Sequence, residues 1–148
     1  MMGAIRTILL VEDSLGDVRL TQEAFRETGD TLRLHVVADG VEAISFLRHE
    51  GGYAGAPRPD LILLDLNLSK MDGRQVLAEI KQDDDLKTIP TVILTISDSE
   101  EDIETVYRLR ANCYLTKPVE FDRFEDLVKS ISDFWLTQVS LPQQTRIA

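Results

Sequence analysis

The chain has 148 residues, 43% of them hydrophobic and 28% charged, a balance that suits one folded domain and excludes a disordered or low-complexity polypeptide. Its net charge of −10 repels nucleic acid, no apolar run approaches membrane-spanning length, and no basic and apolar leader opens the sequence. A cytoplasmic protein without direct nucleic-acid or membrane binding is therefore expected, and the single cysteine, Cys113, excludes an intramolecular disulfide or a cysteine-based zinc site.

In chain order, the first strand is predicted at residues 7–11, where Ile8-Leu9-Leu10-Val11 runs straight into two acids, Glu12 and Asp13. Ser14-Leu15-Gly16-Asp17 has the form of a capping box, and Leu20, Ala24 and Phe25 carry helical spacing behind it. A second strand is predicted at residues 33–38, a helix around Ala43, Ile44 and Leu47, and a flexible loop over residues 51–59, rich in glycine and proline. The third strand, residues 60–65, ends in Asp65, with Asn67 and Asp72-Gly73 read as turn residues and Met71 as a packing residue. Val76, Leu77 and Ile80 mark the next helix, residues 91–95 a fourth strand ending in Thr95, and the acids of residues 98–104 the start of a fourth helix. A fifth strand at residues 112–116 precedes Lys117, and a last helix over about residues 120–137 buries Phe121, Phe124, Val128, Ile131 and Trp135 as one stripe. A polar tail, residues 143–148, is expected to fray. Strict alternation of continuous apolar strands with amphipathic helices predicts a parallel sheet covered on both faces, with its ligand site at the carboxyl ends of the strands.

Asp65 is the informative residue of that edge. A carboxylate inside Leu61-Ile62-Leu63-Leu64-Asp65-Leu66 has to be paired, neutralised or metal-bound to be tolerated. Two strand ends bring Glu12, Asp13 and Asp65 together, and three carboxylates ask for a hard divalent cation such as Mg²⁺. Asp13 and Asp65 are the expected ligands, with Glu12 acting through water and Asn67 lending its backbone carbonyl. Asp65 is then the expected nucleophile toward a phosphoryl group, forming an aspartyl phosphate, with Lys117 and the Thr95 hydroxyl meeting charge on the transferred oxygens. Taken singly, Asp13 reads equally as a helix cap and Thr95 as a β-former, while Glu12 reads more readily as a solvated acid and Lys117 as a surface lysine. Only their joint occurrence at successive strand ends is specific.

The set Glu12-Asp13, Asp65, Thr95 and Lys117-Pro118 resembles the receiver domain of two-component response regulators over nearly the whole chain. The resemblance implies a flavodoxin-like (βα)5 doubly wound α/β fold of strand order 2-1-3-4-5, with residues 1–137 as receiver and 138–148 as an extension. It implies phosphorylation of Asp65 by a partner sensor histidine kinase, Mg²⁺ at Asp13, Asp65 and the Asn67 carbonyl, and phosphoryl contacts from Thr95 and Lys117. It also implies a switch through Thr95 and Tyr114, and often a cis peptide before Pro118. Asp65-Leu66-Asn67-Leu68, Asn112-Cys113-Tyr114-Leu115-Thr116-Lys117 and Phe134-Trp135-Leu136 are similar to the small single-domain regulators of cyanobacterial phytochrome kinases, so a phytochrome-type partner is expected.

Three positions depart from the family pattern. Ile96 stands where a small residue is common and is expected to narrow access to the phosphoryl group; Ser69 replaces a common proline and is expected to loosen the loop after Asp65; Arg110 replaces a frequent glycine at the end of the fourth helix and is expected to reshape the switch face. Other functions fit less well. A phosphatase of the haloacid dehalogenase type wants a titratable acid two residues after its nucleophile, where Asn67 stands; a flavin carrier wants a phosphate-binding loop where Glu12 and Asp13 stand; a pure interaction module would have lost the acceptor or the lysine. The protein is therefore expected to catalyse only its own phosphorylation and dephosphorylation. Apolar residues at the end of the last helix, Phe134, Trp135 and Leu136, with Val139 and Leu141 beyond, are expected to form a homodimer or partner surface.

Overall fold

β1 (Arg6–Val11), α1 (Leu15–Glu27), β2 (Leu32–Val37), α2 (Gly40–Arg48), β3 (Leu61–Leu64), α3 (Gly73–Gln82), β4 (Thr91–Thr95), α4 (Glu100–Arg108), β5 (Cys113–Thr116) and α5 (Phe121–Ile131) alternate along the chain in a computed structural model that describes residues 5–29 and 31–142. The strands form a parallel sheet in the order β2-β1-β3-β4-β5. All five predicted strands are present, with ends shifted by a residue or two. The fraying expected of residues 143–148 lies outside the described residues.

Alternation along the strands divides the core into two layers. Leu9, Val11, Ile62, Leu64 and Ile93 face α2, α3 and α4, where Ala43, Leu47, Val76, Leu77, Ile80 and Val106 meet them. Ile8, Leu10, Leu61, Leu63 and Val92 face α1 and α5, meeting Val18, Phe25, Phe124, Val128 and Ile131. A central strand whose two faces are both covered has no polar positions to spare, so β3 reads Leu61-Ile62-Leu63-Leu64 and is buried throughout. The winding direction reverses between β1 and β3, which places the expected crevice at the carboxyl ends of those two neighbours.

Helix starts follow their capping residues. Ser14 accepts the Asp17 amide at the start of α1, Asp39 the Glu42 amide at α2 and Ser99 the Asp102 amide at α4. The full capping box belongs to Asp72 and Gln75 at α3, so Asp72 is more than a turn residue. At α1 only half the predicted box forms, because the Asp17 carboxylate is engaged elsewhere. Two glycines are fixed by close approach: a Cβ at Gly40 would lie 2.1 Å from the Met71 carbonyl oxygen, and one at Gly73 would lie 2.2 Å from the Asp65 carbonyl oxygen and 2.6 Å from Leu66 Cα.

Several expectations are corrected. α5 ends at Ile131 and continues to Gln138 as a π-helical segment, which alters the spacing of side chains around the axis. The apolar stripe is broken at its start, since Phe121 is exposed at the first position of α5, beyond the edge of the core. Leu141 is buried and so is not available as a partner surface, while Trp135 and Leu136 pack partly against the α1–α5 layer; Phe134 remains exposed. The chain has turned back by Pro142, which shares a small pocket with Pro59, Asp60, Ile89 and Pro90 at the amino-terminal ends of the strands. No described peptide bond is cis, so Pro118 follows a trans bond. Arg110 keeps the left-handed conformation despite its side chain, with φ of 77°, and the Ala111 amide still bonds to the Val106 carbonyl at 3.0 Å. The helix end that glycine usually provides is thus retained. Ser69 leaves its loop tied, its carbonyl accepting from Met71 at 2.7 Å and Gly40 at 3.4 Å.

Candidate functional site

Ladder hydrogen bonds run one residue past the strands and fix the site backbone. The Glu12 amide donates to the Val37 carbonyl at 3.0 Å, the Asp65 amide to Val11 at 3.1 Å and the Lys117 amide to Thr95 at 2.7 Å. Sheet regularity therefore places an acid, an acid and a lysine side by side without help from any loop. The amino terminus of α3 presses against this edge, where Gly73 allows its backbone to touch that of Asp65.

Glu12, Asp65 and Lys117 are all buried, which removes the solvated readings open for Glu12 and Lys117 in sequence. The Lys117 ammonium meets three carboxylates: Glu12 Oε1 in a very short contact, Asp17 Oδ2 at 2.9 Å and Asp65 Oδ2 at 3.1 Å. Glu12 Oε2 accepts the Ser14 amide at 3.1 Å, and Asp65 Oδ1 accepts the Asn67 amide at 3.1 Å. Burial by itself would lower the Lys117 pKa, but the bonds to Asp17 and Glu12 and the charge of Asp65 outweigh it and hold the ammonium well above its ordinary range. Burial pushes Glu12 up to about 7, against the lowering effect of Lys117, with the charge of Asp65 adding to the rise.

Ligand oxygens of Glu12, Asp13 and Asp65 all lie within 4.8 Å of one another, with Asp13 exposed and the other two buried. An all-oxygen, strongly anionic set with one open side suits a hard divalent cation that keeps part of its water. The site residues present therefore fit a metal of the Mg²⁺ or Mn²⁺ kind. Thr95 is fully buried at the end of β4, and its hydroxyl is without a hydrogen-bond partner. A buried, unbonded hydroxyl costs free energy, and here it belongs to the residue whose carbonyl accepts the Lys117 amide.

Beyond Thr95, the Tyr114 hydroxyl donates to the Ser97 carbonyl at 2.7 Å, and the ring packs partly against the α2–α4 layer. Ser97 donates to Asp102 at 2.6 Å, and Arg74 bridges Asp102 at 2.5 Å and Asp72 at 3.1 Å, so the loop after β4 is tied to the start of α3. The Ser97 hydroxyl, then Arg74, hold Asp102 below the usual carboxylate range. Ile96 is 69% exposed and lines a shallow pocket with Asp17, Lys117, Val119 and Phe121. It stands at the rim of that pocket.

Sequence reasoning found Glu12, Asp13, Asp65, Thr95 and Lys117, and the structure brings them to one edge. It missed Asp17, taken there as a local capping acid. It also missed the role of Gly73.

A family model described as the response regulator receiver domain matches residues 8–129. The chain belongs to that family. It is 50% identical over 137 residues to the response regulator Rcp1 of Synechocystis sp., covering 93% of both chains, and 42% identical over 130 residues to the probable methanogenesis regulatory protein FilR2 of Methanothrix harundinacea, covering 87% of this chain and 83% of that one. Among solved structures, the Mn²⁺-bound form of Rcp1 superposes with a TM-score of 0.90 at 50% identity, covering 93% of this chain and 99% of that one. The phosphorylated cyanobacterial phytochrome response regulator RcpA gives 0.92 at 51%, covering 95% and 100%. The receiver described here is thus a close relative of Rcp1 and RcpA, and its flavodoxin-like strand order agrees with that kinship. The phosphatase and interaction-module readings find no support in these relationships. No described helix is long and apolar enough to cross a membrane.

Proposed function

We propose that this receiver accepts a phosphoryl group on Asp65 from a sensor histidine kinase of the phytochrome type, in a Mg²⁺-dependent reaction, and signals by a change of surface and association. The observation that carries the reading is Lys117 Nζ, 3.1 Å from Asp65 Oδ2 on an edge that also gathers Glu12 and Asp13. An Asp65 oxygen forms a bond to phosphorus as the bond from phosphorus to the donor nitrogen breaks. The ammonium meets charge on the phosphoryl oxygens, and the unbonded Thr95 hydroxyl supplies a further donor. Asp13, Asp65 and the Asn67 carbonyl, with Glu12 behind them, would hold the cation. When bound, Mg²⁺ neutralises the carboxylates and the incoming phosphate charge. The protein acts on no separate substrate and catalyses only its own phosphorylation and dephosphorylation.

Exposed apolar side chains support docking of a protein donor at this edge: Leu15 opens α1, and Ile96, Val119 and Phe121 surround the approach to Lys117. Movement of the Thr95 hydroxyl toward the phosphoryl group would draw Tyr114 with it and carry the signal to the β4–α4 loop. A homodimer is proposed around Phe134, which is 52% exposed and stacks edge-on against Trp135 at 5.5 Å. The acidic chain is suited to a cytoplasmic role without nucleic acid.

Transfer from a labelled, autophosphorylated phytochrome-type kinase tests the reading. Label should move to the native receiver in the presence of Mg²⁺ and fail to move to Asp65→Asn; transfer to that variant, or none to the native protein from any such kinase, would count against it. Sedimentation of the native protein and Phe134→Asp, with and without beryllofluoride, tests association.

A further inference from the structure

We infer that Asp17 is a positioning residue for phosphotransfer: with Glu12 it holds two of the three N–H donors of Lys117, so that the third is aimed at Asp65. This rests on the proposed role of Asp65 as phosphoacceptor.

An ammonium has three donors on a flexible four-carbon stem and no preferred direction of its own. Its direction at this site is set by its acceptors. Glu12, at the end of β1, takes one donor; Asp17, in the first turn of α1, takes the second at 2.9 Å; Asp65 takes the third at 3.1 Å. The three acceptors come from three places in the fold: the end of β1, the first turn of α1 and the end of β3.

Once Asp65 is phosphorylated, its oxygen bears less charge and the third donor passes to a phosphoryl oxygen. Glu12 and Asp17 keep the other two. Asp17 thereby prevents the ammonium from turning away during transfer, an orientational contribution of the sort that raises rate without new bonds to the reacting atoms. The Asp17 carboxylate is 30% exposed, and it is not one of the three, Glu12, Asp13 and Asp65, whose oxygens gather at the expected metal position. An acid in the first turn of a helix is also favourable for the helix dipole, which gives a purely local role to be separated by experiment.

Phosphorylation by acetyl phosphate with saturating Mg²⁺, followed in the full chain, separates the two roles. Native protein must label at Asp65; if it does not, the phosphoacceptor reading fails and Asp17 is not at issue. Given labelling, Asp17→Ala should slow phosphorylation by about fivefold to tenfold, the size expected for one lost oriented hydrogen bond. Its Mg²⁺ affinity should stay within about twofold of native, because Asp17 is not a ligand. Asp17→Asn, which keeps an acceptor oxygen and guards against a folding defect, should recover part of the loss. In a Lys117→Ala background Asp17→Ala should cost nothing further, since its effect passes through the lysine. A native rate in Asp17→Ala, or the same loss with and without Lys117, would overturn the inference.

Discussion

Thr95→Val exchanges a hydroxyl for a methyl group in a fully buried position without altering β-branching or volume greatly. In the resting receiver the Thr95 hydroxyl is buried without a hydrogen-bond partner. A hydroxyl in that state costs roughly 1–3 kcal/mol relative to a satisfied one, and an apolar group of the same shape avoids the cost. Both residues suit a strand, so β-propensity cancels. The metal-free variant should therefore be more stable than native by about 1–2 kcal/mol, which for a chain of this size corresponds to a rise in Tm of roughly 3–6 °C. The phosphorylated state should show the opposite bias, because valine cannot donate to a phosphoryl oxygen. Thermal and urea melts in chelator, repeated with Mg²⁺ and beryllofluoride, measure both. The native protein should gain more from beryllofluoride than the variant by about 1–3 kcal/mol, the worth of a hydrogen bond to a charged group. A metal-free variant less stable than native, or an undiminished response to beryllofluoride, would refute the view that this hydroxyl is held in reserve for the phosphoryl group.

Gly73→Ala should destabilise the protein by about 1–3 kcal/mol despite alanine's better helix propensity, since its Cβ would meet backbone of Asp65 and Leu66 that cannot yield without moving the acceptor; phosphorylation should fall with it, and a native rate with native stability would argue against the close approach. Arg110→Gly should stabilise by about 1 kcal/mol, because it relieves a left-handed non-glycine residue at φ 77°, as urea denaturation would show. Glu12 has its folded pKa raised from 4.5 to about 7, so its contribution to metal-free stability is fully present below about 4.5 and is lost as pH rises to about 7. Because a cation must displace that proton, calorimetry should show Mg²⁺ affinity rising by up to about tenfold per pH unit below pH 7 and levelling above it; affinity independent of pH from 5 to 8 would contradict the shift.

Most of the fold was legible because a parallel sheet covered on both faces leaves continuous apolar runs such as Leu61-Ile62-Leu63-Leu64, separated by amphipathic helices. The order of the strands was carried by family resemblance, since nothing in β1 or β3 alone specifies its neighbours. Glu12, Asp65 and Lys117 could be read because each directly follows an apolar strand, where the ladder itself sets position. Asp17 could not. Three residues after Ser14 it satisfies the local capping pattern, and its true partner is 100 residues away. Gly73 was hidden for a similar reason: a glycine after Asp72 reads as a turn, while the backbone that forbids a Cβ belongs to β3's end. Leu141 misled because helical spacing carries no information about where the chain turns once the helix has ended, and the π-helical segment at Ser132–Gln138 shifts the faces before that point.

The most direct test of the account is chemical trapping of the acceptor. The receiver is phosphorylated with Mg²⁺ present, then treated with borohydride, which reduces an aspartyl phosphate to homoserine, and its peptides are sequenced by mass spectrometry. The account predicts homoserine at position 65 and at no other aspartate, Asp13 and Asp17 included, with none formed when phosphodonor or Mg²⁺ is withheld. Homoserine at another position, or stable phosphate that borohydride does not remove, would contradict it.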